Sequence, residues 1–147
     1  MFGFDSVMEK ERAKLVNPVV LAFVGDAVYS LYVRERLVFK GEGKPSELQK
    51  AASRLVSARG QSDFLNELLP LLTEEEEELY KRGRNAKKAT KSKNASVGEY
   101  NRSTGFETVL GYLYLTGNKV RLDELLNKID DGLFAIEREP APFKPIR

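Results

Sequence analysis

Cysteine, histidine and tryptophan are all absent from this 147-residue chain. Without cysteine there is neither a disulfide nor a thiolate metal site, a usage that suits a reducing cytosol, so a cytoplasmic location is expected. Without histidine there is no imidazole base and no zinc site of the usual kind. Any metal must then be held by oxygen ligands, which points to magnesium or manganese. No membrane-length apolar run is present either: the longest carries Asp26 and Arg34 and stops short of a span. The start Met1-Phe2-Gly3-Phe4-Asp5 lacks a basic stretch leading into an apolar signal core, so secretion is not expected.

Net charge is small too, 24 basic against 22 acidic residues for +2, but the charges are unevenly placed. No acid occurs between Glu78 and Glu99, whereas Lys81, Arg82, Arg84, Lys87, Lys88, Lys91 and Lys93 all fall there. Such a block suits phosphate backbones, although a solvated surface loop is an equally good account of a basic run in isolation.

The length fits one compact domain with its own core, and the patterning is helical nearly throughout. Asn17-Pro18 reads as an N-cap followed by proline at the first helical position. A long, largely apolar central helix is predicted from there to about Phe39, ended by Gly41-Glu42-Gly43. Lys44-Pro45-Ser46 opens a second helical stretch carrying Leu48, Ala51, Ala52, Leu55 and Val56, with Gly60 as the candidate break before Phe64 to Leu69. Thr73 with Glu76 has the capping-box spacing, and Glu74 to Glu76 complement the positive end of a helix dipole. That helix is expected to fray near Gly83 and to give way to a loop over residues 84–98. Two more helices are predicted, roughly Glu99 to Thr116 and Lys119 to Phe134, followed by an extended tail from about residue 137. No strand alternation appears. The fold class is therefore all-α, with residues 1–147 as one domain.

Two acids stand in apolar company. Asp26 interrupts Val19-Val20-Leu21-Ala22-Phe23-Val24-Gly25-Asp26-Ala27-Val28-Tyr29, and Glu107 interrupts Gly105-Phe106-Glu107-Thr108-Val109-Leu110-Gly111. A carboxylate withdrawn from water needs a hydrogen-bonding partner, a cation or a metal. Each alone is explained by a nearby arginine or backbone amide. Together, in a chain without histidine or cysteine, they are a minimal divalent-metal site, with the basic block to attract phosphate. Gly25, next to Asp26, clears room for close approach of a backbone, helix or substrate.

These residues resemble the ribonuclease III family. Phe23-Val24-Gly25-Asp26-Ala27-Val28 is similar to that family's signature, and Phe106-Glu107-Thr108-Val109-Leu110-Gly111 to its second acidic motif. The resemblance is closer to mini-ribonuclease III, the short bacterial branch lacking a double-stranded-RNA-binding domain. It is carried by Leu21 to Ala27, Ser53-Arg54-Leu55-Val56-Ser57-Ala58, Thr73 to Glu77, Lys81-Arg82-Gly83-Arg84-Asn85-Ala86-Lys87 and Ser103 to Glu107, and it spans about Phe4 to Ile129. Ala22, Val19 and Thr104 stand where full-length ribonuclease III has further acids, losses that the mini branch shares.

The resemblance implies a ribonuclease III-type catalytic domain and a magnesium-dependent endoribonuclease, with manganese as a substitute metal. It would hydrolyse double-stranded RNA by in-line attack of water on a backbone phosphate, leaving a 5′ phosphate and a 3′ hydroxyl. The implied substrate is the precursor of large-subunit (23S) ribosomal RNA. Asp26 and Glu107 would be both the catalytic pair and the metal ligands, with water and RNA phosphate completing the coordination. Expected partners are the RNA, a second copy of the chain in a homodimer that pairs two cuts, and a ribosomal protein presenting the substrate. RNA-binding candidates are Arg82, Arg84, Lys87, Lys88, Lys91 and Lys93 in the basic block, Lys50 and Arg54 on the preceding helix, and Arg102 within about a turn of Glu107. Thr104 is open to two roles, water binding at the metal or a bond to its own backbone. Two rivals remain: a non-catalytic double-stranded-RNA binder on the same fold, and an all-α nucleotide pyrophosphatase, whose usual Glu-x-x-Glu-like pairs on core helices are not seen.

Overall fold

A computed structural model describes residues 6–41, 43–88 and 95–141. Seven α-helices are formed among them, and no strand: α1 (Lys10–Leu15), α2 (Pro18–Phe39), α3 (Pro45–Val56), α4 (Ala58–Leu68), α5 (Glu74–Asn85), α6 (Val97–Leu115) and α7 (Lys119–Leu126). Short 3-10 turns follow α4 at Leu69–Leu71 and α7 at Asp131–Phe134.

The helix starts are set locally. Asn17 Oδ1 accepts from the Val19 amide at 2.8 Å, with Pro18 at the first helical position, where a missing N–H costs nothing. Thr73 and Glu76 close the anticipated capping box at 3.2 and 3.0 Å. Ser96 and Glu99 form a second, at 3.0 and 2.9 Å, so α6 begins slightly before the expected Glu99.

Three boundaries differ from expectation. The break between α3 and α4 is at Ser57, whose Oγ accepts from the Gly60 amide at 3.0 Å. Gly60 instead lies in the first turn of α4, where a Cβ would overlap the Arg54 carbonyl. Gly83 does not fray α5: it is buried against α6, where a Cβ would overlap Thr108. The last predicted helix stops at Leu126, with Phe134 reached through the 3-10 turn. α1 was not anticipated; its six residues are too few to show periodicity, and it buries only Ala13.

α2 and α6 share the centre of the domain. α6 is buried on nearly all sides from Ser103 to Leu113, because α2, α4 and α5 all pack on it. Tyr29 of α2, Phe64 of α4 and Phe106 of α6 meet beneath the crossing, with ring centroids 5.6–6.0 Å apart. At the crossing itself two glycines face two backbones. A Cβ on Gly25 would overlap the Glu107 carbonyl, and one on Gly111 would overlap the Leu21 carbonyl. The helices therefore touch main chain to main chain, which no larger residue permits.

Candidate active site

Backbone contact between α2 and α6 brings the residues beside Gly25 next to Glu107. Asp26 and Glu107 share a hydrogen bond, and both line a cleft of about 450 Å³. α2 contributes Val19, Ala22, Phe23 and Asp26 to that cleft; α6 contributes Tyr100, Ser103, Thr104 and Glu107; Val56, Ala58 and Lys88 complete it.

The two acids differ in burial. Glu107 is partly buried, whereas Asp26 is exposed, contrary to the burial its apolar company implied. The reason lies in those neighbours: Val20, Phe23, Ala27 and Leu31 form a stripe that is itself exposed on α2. Burial, then the Asp26 charge and hydrogen bond, push Glu107 up to about 9, against a small opposing effect of Gln61. Near neutral pH the pair thus holds a proton in the place where a cation would remove the repulsion.

Gln61 escaped the sequence reading. It is fully buried on α4 and donates from Nε2 to Glu107 Oε1 at 3.4 Å. The signal was available: Gln61, Phe64, Leu65 and Leu68 follow the i, i+3, i+4, i+7 rule of a buried face, and a glutamine interrupts it.

Lys88 is the only expected RNA-binding cation among the described residues that lines the cleft. Its Nζ donates to the carbonyls of Arg84 at 3.0 Å and Ala86 at 2.7 Å, and partial desolvation lowers its pKa. Lys87 is exposed. Lys91 and Lys93 lie outside the described residues. The other candidates have structural partners. Arg82 donates to the Lys14 carbonyl at 3.0 Å, and Arg84 lies over the Tyr80 ring at 5.6 Å. Arg102 donates to Asn66 Oδ1 at 2.7 Å. Lys50 pairs with Glu139 at 3.2 Å, and Arg54 donates to the carbonyls of Leu133 and Ala135, so both fasten the C-terminal segment onto α3. Thr104 takes the backbone role: its hydroxyl donates to the Tyr100 carbonyl at 3.0 Å.

Comparison with known proteins decides what this arrangement is. The family model described as "Ribonuclease III domain" matches residues 19–118, a span that holds both carboxylates. The chain belongs to the ribonuclease III family. Within it the similarity is to mini-ribonuclease 3. The protein of that name from Streptococcus pneumoniae is 50% identical over 115 residues, covering 77% of this chain and 90% of that protein. The one from Brevibacillus brevis is 48% identical over 125 residues, covering 82% and 93%. A crystal structure of a protein from Fusobacterium nucleatum superposes with a TM-score of 0.73 at 28% identity, covering 83% of this chain and 98% of that one. Membership of this family makes the chain an endoribonuclease of the mini-ribonuclease 3 type. No helix among the described residues is long and apolar enough to cross a membrane.

Proposed function

We propose that this endoribonuclease hydrolyses double-stranded RNA with magnesium, acting on the precursor of 23S ribosomal RNA and leaving 5′ phosphate and 3′ hydroxyl ends. The observation that carries the reading is the Asp26–Glu107 pair, two carboxyls side by side at a cleft open to solvent. The donor set suits a hard divalent cation, magnesium or manganese: the ligands are oxygens, and a cation would offset the burial and the neighbouring Asp26 charge that hold the Glu107 pKa up. No cluster of three or more histidine, cysteine, aspartate or glutamate side chains with metal-binding geometry occurs among the described residues, so water and RNA phosphate are the natural remaining ligands.

Asp26 and Glu107 would hold the ion, which supplies an activated water nucleophile and positive charge against the phosphate. Other steps fall to the chain itself. Lys88, fixed by two carbonyls, offers its remaining N–H to a phosphate oxygen at the mouth of the cleft. Val19, Ala22 and Val56 form an apolar wall beside the carboxylates and limit where water stands. Lys87 adds charge outside the cleft. Duplex RNA conceals its base edges, so these contacts follow phosphates and shape.

The two strands of a duplex are related by a local two-fold axis, and one site cuts one strand. We therefore place a homodimer around the exposed α2 stripe, where Phe23 is 79% and Val20 52% exposed. A self-complementary apolar patch of this kind suits an isologous contact. Phe23 of this stripe also lines the cleft, so a contact between two copies there would bring their two sites near each other. A ribosomal protein bound to the precursor would serve to present it.

The reading is tested with end-labelled duplex and single-stranded RNA, with magnesium and with chelator. Magnesium-dependent cutting of the duplex alone is expected. Duplex binding without cutting, on ribosomal precursor as well as synthetic RNA, would make the chain a non-catalytic binder.

A further inference from the structure

Gln61 is an expensive residue in its place. Its side chain is 0% exposed, its Oε1 has no hydrogen-bond partner, and its neighbours on the inward face of α4 are Phe64, Leu65 and Leu68. An unpaired buried amide oxygen is destabilising, and an apolar side chain of equal length would avoid it. Packing therefore does not account for glutamine here.

Its amide nitrogen does. Nε2 donates to the Val56 carbonyl at 3.2 Å and to Glu107 Oε1 at 3.4 Å. A main-chain carbonyl only accepts, so Val56 fixes which end of the amide faces inward; the reversed amide would set oxygen against oxygen. Gln61 is thus held to present a donor, never an acceptor, to Glu107. A donor held at this point fixes which way the Glu107 carboxyl faces, and so where its oxygens stand beside Asp26.

We propose that Gln61 is a positioning residue of the metal centre: anchored by the Val56 carbonyl, it fixes the orientation of the Glu107 carboxyl group beside Asp26, at the expense of its own unpaired oxygen. This rests on the reading of Asp26 and Glu107 as the metal-holding pair. Gln61 is fully buried and does not line the cleft, so its role is positioning rather than catalytic.

The test measures binding of manganese alone to the full chain, by electron paramagnetic resonance, for wild type, Gln61→Met, Gln61→Leu and Asp26→Asn, with thermal melts of each. Two apolar variants are used so that a packing fault in one does not decide the outcome. The expected result is a manganese dissociation constant raised about tenfold in Gln61→Met and Gln61→Leu, with a Tm equal to or above wild type. In cleavage assays the magnesium concentration for half-maximal rate rises in the same ratio, while KM for duplex RNA is unchanged. Unaltered manganese affinity in both variants would overturn the inference and leave the metal site standing. A lowered Tm in both, tracking the affinity loss, would make Gln61 a packing residue and overturn it as well. Wild type binding manganese no better than Asp26→Asn would instead remove the metal-holding pair, and the inference with it.

Discussion

Gly25 of α2 lies so close to Glu107 of α6 that a Cβ at position 25 would overlap the Glu107 carbonyl oxygen. The contact is what makes a site from two distant acids: Asp26 follows Gly25 directly, and only main-chain contact between the helices lets its carboxyl reach that of Glu107. Gly25→Ala should therefore force the helices apart, at a cost of about 1–3 kcal/mol for overpacking a close-packed crossing. Urea unfolding checks the stability. Cleavage should fall by more than the population of folded protein does, because the carboxyls separate.

The proton shared by the pair has a pH signature. Glu107 is raised from 4.5 to about 9 in the folded chain, so between those values the folded state keeps a proton that the unfolded state has released. Stability from this group is fully present below about pH 4.5 and is lost as pH rises towards 9. Metal-free melts of wild type should thus decline across that window relative to Glu107→Gln, which has no proton to lose. Magnesium bound by the pair as proposed would displace the same proton, so its affinity should increase with pH over that range. Calorimetry in buffers of different ionisation enthalpy would register proton release on binding.

Far from the cleft, Arg121 fastens α7 to the start of α5. It donates to Glu76 at 2.8 and 2.9 Å and to the Leu71 carbonyl at 2.8 Å, and the Glu76 side chain is only 5% exposed. Arg121→Ala would leave that buried carboxylate without its cation, held only by the Thr73 amide, a loss on the order of 3 kcal/mol. Chemical denaturation should show it, with manganese binding by the folded protein unchanged.

How far all this was legible in the sequence depended on the range of the forces involved. The starts of α2 and α5 were readable because Asn17-Pro18 and Thr73–Glu76 act within one turn. The all-α class followed from periodicity, and the pairing of Asp26 with Glu107 from two charges in apolar runs. Gly60 and Gly83 were misread as helix breakers, since a glycine required for close packing looks the same in sequence as one that ends a helix. The exposure of Asp26 was hidden for a related reason: an apolar stripe reads as core whether it meets its own chain or a second copy. That Arg54 and Lys50 hold the C-terminal segment could not be read from the sequence, because that segment lies some 80 to 90 residues away.

That apolar stripe bears on assembly. Val20→Asp places a charge on the exposed α2 face outside the cleft, so light scattering should show a dimer for wild type and a monomer for the variant. Paired cuts should then become single-strand nicks. A monomeric wild type at working concentration would remove the basis for paired cutting.

Charge around the cleft should divide by position. Neutralising Lys87, Lys88 and Lys91 together should weaken duplex binding and flatten its salt dependence, by about one unit of slope for each phosphate that is no longer neutralised. Lys88→Met alone should lower the cleavage rate more than the affinity, since Lys88 lines the cleft. Unchanged binding and slope in the triple variant would move the RNA-binding surface to another face.

Asp26 and Glu107 are proposed as one metal-dependent catalytic centre, and the decisive variant is Asp26→Asn. The substitution keeps the size of an exposed side chain while removing its charge. On end-labelled duplex RNA with magnesium, cleavage should fall by more than about a hundredfold, with duplex affinity and Tm close to wild type. Retained cleavage by the folded variant would contradict the account and place the chemistry elsewhere.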